Sequence, residues 1–94
     1  MTKQNELIIK TARPILRRYR VRKASLFGSR ARNDHRLKSD VDILIDPPPR
    51  MSLIDLSGLK LDLEGALNLE VDVVIRRSLH PLLKPYIKEK IKIL

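Results

Sequence analysis

The run SDVDILID at residues 39–46 alternates apolar and acidic side chains, and a second run, LEVDVVIRR at 69–77, does the same. A repeat of two is the spacing of a strand, whose successive side chains point to opposite faces. In the first run Val41, Ile43 and Ile45 share one face, and Asp40, Asp42 and Leu44 share the other. In the second, Leu69, Val71, Val73 and Ile75 form the apolar face, with Glu70, Asp72 and Val74 opposite. Each strand thus has one face for a core and one that carries aspartate, a residue depleted from strands. If the two strands are neighbours, the carboxylates of Asp40, Asp42 and Asp72 converge on one side of a sheet.

The rest of the chain supplies helices to cover the apolar face. Ile8, Ala12, Ile15, Leu16 and Tyr19 follow helical spacing from about Lys3, with Pro14 expected to kink or restart that helix. KASLFG, residues 23–28, reads as a strand ending at a glycine, and Ser29 as the N-cap of a short helix. Pro47-Pro48-Pro49 marks a loop. Leu53, Leu56, Leu59 or Lys60, Leu63 and Leu67 then form a helical stripe, weakened by Gly58 and Gly65. Ser78 could cap a last helix with Leu79, Leu82, Leu83, Tyr86, Ile87, Ile91 and Leu94 on one face. The expected order is αβαβαβα: one small α/β domain over residues 1–94, with a three-stranded sheet and helices on at least one face.

Composition narrows the partners. The chain has 94 residues, enough for one modest core, and no cysteine, so disulfides and thiolate zinc sites are excluded. No apolar run reaches signal-peptide or membrane-span length, so a soluble, cytoplasmic protein is expected. With 20 basic and 11 acidic residues the formal charge is +9, which favours polyanions: nucleic acid, a nucleotide or an acidic protein surface. A lysine- and arginine-rich surface can equally serve solubility or heat tolerance. Phe27, Tyr19 and Tyr86 are the only aromatics, few for stacking on single-stranded nucleic acid, so that partner is not favoured.

Two carboxylates about 6 Å apart repel by roughly 3 kcal/mol at an effective dielectric of about 20, so a cation should sit between them. Oxygen-only clusters suit Mg²⁺ or Mn²⁺ better than zinc. The alternative is that Asp40 caps a strand end while Asp42 and Asp72 pair with Arg30, Arg32 or Arg76. Upstream, Gly28-Ser29 followed by a helix start offers close backbone approach, unpaired N–H groups and a hydroxyl, which together fit a phosphate. A tight strand-to-helix turn needs glycine for steric reasons as well. His35 and His80 have no partner at metal-ligand spacing and read as surface or structural residues.

Gly28-Ser29, ten residues, Asp40-x-Asp42 and a later strand aspartate at 72 resemble the nucleotidyltransferases of the DNA polymerase β superfamily. More narrowly, GSRARND followed by KSDVDILID is similar to the minimal nucleotidyltransferase family, whose members are often antitoxin partners of HEPN-domain proteins. Asn33 stands where many relatives carry glycine.

The resemblance implies that Gly28 and Ser29 hold the β and γ phosphates of a nucleoside triphosphate, with Arg32 and Arg30 candidates to assist. It also implies that Asp40 and Asp42 bind two Mg²⁺ ions, and that Asp72 completes the second metal site and helps deprotonate or orient the attacking hydroxyl. Ser39 would orient Asp40 or the turn. The implied reaction is transfer of AMP from ATP to a tyrosine of a HEPN toxin. Two other readings stay open: a non-catalytic module that neutralises a toxin by contact, and a basic nucleic-acid binder. The C-terminal leucine and isoleucine stripe could dock a partner or a second copy of the chain, or be core.

Overall fold

The computed structural model describes residues 2–28, 40–76 and 90–94. The elements in chain order are α1 (Lys3–Arg18), β1 (Lys23–Phe27), β2 (Val41–Asp46), α2 (Leu53–Leu67), β3 (Val71–Ile75) and β4 (Ile91–Lys92). The short helix expected after Ser29 and the body of the expected last helix lie outside the described residues.

Helix α1 starts where the Thr2 side chain accepts the Asn5 N–H, and it buries Asn5, Ile8, Ile9, Ala12, Ile15 and Leu16. That set recurs at three- and four-residue intervals, one stripe of a helix. The helix runs through Pro14 without a restart. Pro14 and Lys10 are both exposed, so water can take the Lys10 carbonyl that proline leaves without a donor.

At its C-terminus Val21 N–H donates to the Leu16 carbonyl and Arg20 N–H to that of Arg17. These are the two bonds of a Schellman end, which places Arg20 in the left-handed position that glycine normally fills. Arg20 has φ +60°, a conformation that costs an L-residue about 1–2 kcal/mol.

The four strands lie in the order β3-β2-β1-β4. β1 pairs antiparallel with β2 and with β4, and β2 pairs parallel with β3. The count of three strands expected from sequence is corrected here to four among the described residues. Ile91, assigned above to a helical face, lies with Lys92 in the edge strand β4 instead. In KIKIL, residues 90–94, lysine and isoleucine alternate with period two. Ile91 faces the core opposite Leu26, Lys92 faces the other way opposite Ser25, and Ile93 is buried.

One sheet face, built from Ala24, Leu26, Val41, Ile43, Ile45, Val71 and Ile93, packs with the buried stripe of α1 and with Leu59 and Leu63 of α2. Arg13 closes the edge by donating from Nε to the Ile93 carbonyl at 3.0 Å. Helix α2 opens on a capping box: Ser52 Oγ accepts the Asp55 N–H, and an Asp55 carboxylate oxygen accepts the Ser52 N–H. Its stripe is narrower than expected. Leu59 and Leu63 are fully buried, Leu56 and Leu67 partly, and Leu53 is 81% exposed in the first turn, alongside exposed Ile54 and Leu61.

Between the helices Tyr19 donates its hydroxyl to Asp62 Oδ2 at 2.6 Å. That hydrogen bond and then partial desolvation raise the phenol's pKa above its ordinary 10.0. Because the folded value is raised, the stability the pair contributes is complete below about pH 10 and fades as pH climbs through the folded pKa. In a Tyr86→Phe background, which isolates Tyr19, Asp62→Asn is expected to bring the phenolate absorbance transition down in pH; an unmoved transition would refute the bond.

Gly58 makes room for this hydroxyl, since a Cβ there would lie 3.0 Å from it, whereas a Cβ at Gly65 meets nothing within 4 Å. Gly65→Ala is therefore expected to stabilise the fold by about 0.5–1 kcal/mol in urea unfolding, from helix propensity alone. Gly58→Ala should gain less or lose, because it pushes on Tyr19.

Candidate active site

The sheet face opposite the core carries the strand aspartates. Strand alternation puts Phe27, Ser25 and Lys23 of β1 there, with Asp42, Leu44 and Asp46 of β2 and Asp72 and Val74 of β3, and Arg76 follows directly after β3. Asp42 and Asp72 are direct partners in the parallel register, and Phe27 is Asp42's partner on the other side. Neighbouring strands lie about 4.8 Å apart, so the two carboxylates project side by side from adjacent backbones. Asp72 is exposed and Asp42 half-buried. Asp40, expected inside the strand, is exposed and immediately precedes it.

The three acids lie at one end of the sheet, at the start of β2 and β3, and Gly28 at the finish of β1 lies at that same end. Gly28 has φ +73°, and a Cβ built there would overlap Asp42 Oδ2 and come 3.2 Å from its Cγ. Two independent constraints, the left-handed backbone and the abutting carboxylate, therefore demand glycine at this bend. Ser29 and Arg32, assigned above to the triphosphate, lie outside the described residues, as do Arg30 and Ser39.

The arginine alternative receives one part of an answer. Arg76 pairs with Asp46, Nε to Oδ1 at 3.3 Å, at the far end of the strands from Asp42 and Asp72. The start of β3 is secured by a residue that sequence reasoning does not single out: Glu64 of α2 accepts the Val71 N–H at 3.0 Å, one residue before Asp72. Asn68, left-handed at φ 56°, ends α2 and turns the chain into that strand. A glutamate in the last turn of a helix carries no sequence signal of such a reach.

Among the described residues no three acidic, histidine or cysteine side chains are gathered into a ready-made metal cage. Mg²⁺ does not require one: it keeps several waters and binds through one or two carboxylates together with substrate phosphates. Two neighbouring carboxylates beside a glycine bend that a Cβ would fill match that mode of binding, and the donors are all oxygen.

The profile of the nucleotidyltransferase domain family matches residues 9–94. A Methanocaldococcus jannaschii protein named as a candidate protein adenylyltransferase is 51% identical over 71 residues, covering 76% of this chain and 76% of that one. A solved structure of a candidate minimal nucleotidyltransferase superposes with a TM-score of 0.80 at 32% identity, covering 96% of this chain and 95% of the other. A Shewanella oneidensis complex of a tri-AMPylated HEPN toxin with an MNT antitoxin matches with a TM-score of 0.73 at 23% identity, over 95% of this chain and 71% of that one, and bears on fold alone. With nearly the whole chain matched and the same architecture in a solved relative, this protein belongs to the nucleotidyltransferase domain family, in its minimal branch, and is a nucleotidyltransferase by class.

Proposed function

We propose that this single domain is a cytoplasmic protein adenylyltransferase that moves AMP from ATP onto a tyrosine hydroxyl of a HEPN-domain toxin and so acts as its antitoxin. The observation that carries the reading is the register pairing of Asp42 with Asp72, beside a glycine bend in which Asp42 fills the space of the missing side chain. The name of the 51% identical relative supports the same chemistry.

In this reading the Gly28-Ser29 bend takes the β and γ phosphates through backbone N–H groups and the serine hydroxyl, with Arg32 adding charge. Asp40 and Asp42, with Asp72, hold two Mg²⁺ ions, which when bound neutralise charge on the phosphates and lower the nucleophile's pKa. Asp72, the outer acid of the pair, accepts the proton of the incoming hydroxyl. The hydroxyl oxygen bonds to the α phosphorus, the bond to the bridging oxygen of the β phosphate breaks, and pyrophosphate departs. Ser25 and Leu44, behind the acids on the same face, are buried at 8% and 1% exposure and back the site on the β1–β2 side.

The test is incubation with Mg²⁺, α-labelled ATP and the toxin co-expressed with this chain. Label on the toxin, mapped to tyrosine and lost in Asp42→Asn, is the expected result. Toxin neutralisation that persists in Asp42→Asn with no label at any stage would replace the proposal with neutralisation by contact.

A further inference from the structure

A cleft of about 470 Å³ lies at the other end of the molecule, lined by Arg18, Tyr19 and Arg20 from the end of α1, by Pro48, Pro49, Arg50 and Met51 from the loop after β2, and by Asp55 of α2. The end of α1 leads into the start of β1, and the proline loop follows the finish of β2. Gly28 and the aspartates lie at the opposite ends of those strands, a strand length or about 16 Å away. The cleft is therefore separate from the candidate active site, and its volume falls within the range of small-ligand pockets, about 300–1,000 Å³.

Its chemistry has two halves. Three arginines line it, and among the described residues none of them forms an ion pair. The lining holds one carboxylate, Asp55, which accepts the Ser52 N–H in the capping box and keeps its charge, so the lining residues carry a net charge of +2, and Asp62 lies behind the wall on the Tyr19 hydroxyl. Three exposed arginines against one carboxylate leave an excess of positive charge that attracts an anion, and the planar guanidinium fork matches phosphate oxygens. The other half is apolar: Pro48, Pro49, Met51 and the ring of Tyr19, which its hydroxyl bond to Asp62 holds in place. Such a wall suits the flat face of a base.

Arg20 supplies an independent observation. It occupies the left-handed end position of α1 at φ +60°, where glycine would satisfy the same Schellman hydrogen bonds without strain. An arginine in that position gives up stability and delivers a guanidinium to the cleft.

We propose that this cleft is a second nucleotide site, in which Arg18, Arg20 and Arg50 hold a phosphate and the Tyr19–Met51 wall carries the base. The phosphate can belong to a free nucleoside monophosphate or to the 5′ end of an RNA. The proposal does not depend on the transferase reading, since it uses none of the same residues.

The experiment is titration of the ¹⁵N-labelled full chain with AMP, without Mg²⁺, in wild type, Arg20→Gly, Arg50→Gln and Asp42→Asn. Saturable shifts are expected at the amides of 18–20, 50 and 51, competed by inorganic phosphate and unchanged in Asp42→Asn. Arg20→Gly should weaken binding at least tenfold while raising Tm by about 4 °C or more, and Arg50→Gln should weaken binding without that gain. AMP and a 5′-phosphorylated oligoribonucleotide binding equally assigns the free nucleotide, and binding of the oligoribonucleotide alone assigns the RNA end. Shifts confined to the Gly28–Asp42–Asp72 end, unchanged affinity in both arginine variants, or binding of neither ligand would overturn the proposal.

Discussion

Asp42→Asn is expected to lower AMP transfer by about 10³-fold while leaving the folded protein at least as stable as wild type. The change preserves shape and removes one charge. In phosphoryl transfer nearly all of the catalysis is positioning and electrostatics, and loss of one fixed group aimed at the developing charge typically costs about 10²–10³-fold. Asp42 is placed for the upper end of that range, because it stands between its register partner Asp72 and the Gly28 bend. The same neighbours make asparagine tolerable in the fold. Like charges directly opposite on adjacent strands destabilise a sheet, so neutralising one relieves repulsion worth about 0.5–1 kcal/mol for a pair partly open to water. Activity falling while Tm holds or rises is the signature of a functional acid; a structural acid would lose both together. Asp46→Asn is the internal control. It lies on the same strand and the same face, four residues on, but is committed to Arg76 at 3.3 Å. Its effect on transfer should stay within about tenfold, with any loss shared by stability. Equal activity in Asp42→Asn and wild type at saturating Mg²⁺ would remove the chemistry from this site.

What the sequence discloses here is mostly what a strand's period of two discloses. The alternation in β2 and β3 assigns Asp42 and Asp72 to the face opposite Val41, Ile43 and Val71, and pairing of the two strands is the remaining condition, which the register meets. Helix α1 is legible for the same reason with a different period, although Pro14 argues for a break that a stripe of six buried residues does not require. The end of the chain misleads because Ile91 and Leu94 also extend the helical pattern of the preceding segment, and that longer pattern outweighs the shorter signal, lysine alternating with isoleucine over five residues. Leu53 shows a further limit: periodicity defines a face of α2 but not how far the neighbouring layers reach along it. Arg20 in a left-handed conformation and Glu64 reaching to Val71 follow from tertiary closure, and arginine and glutamate advertise neither. Gly28 lies between these cases. A glycine at a strand end announces a turn, but only the register, which brings Phe27 opposite Asp42, shows that the glycine is also fitted to the aspartate.

That fit makes Gly28→Ala the substitution with the largest expected effect on both folding and transfer, and its two causes can be separated. The left-handed backbone at φ +73° imposes about 1–2 kcal/mol on any residue with a Cβ. The new methyl also lands on Asp42 Oδ2, and relieving that overlap requires moving either the bend or the carboxylate. Together a loss of about 2–4 kcal/mol is expected, with transfer reduced beyond what the unfolded fraction explains. A double-mutant cycle with Asp42→Ala divides the terms. The added methyl would lie 3.4 Å from the Asp42 Cβ, ordinary contact, so alanine at 42 clears the overlap while leaving the backbone strain untouched. Gly28→Ala should then cost only its backbone share in the Asp42→Ala background, leaving a coupling of about 1 kcal/mol or more, read from urea midpoints at constant m-value. Additive single effects would mean that the bend and the acid are independent, and that glycine is there for the turn alone. Coupling would mean that the Gly28 bend and the Asp42 carboxylate are built as one unit, so that neither can be altered without displacing the other.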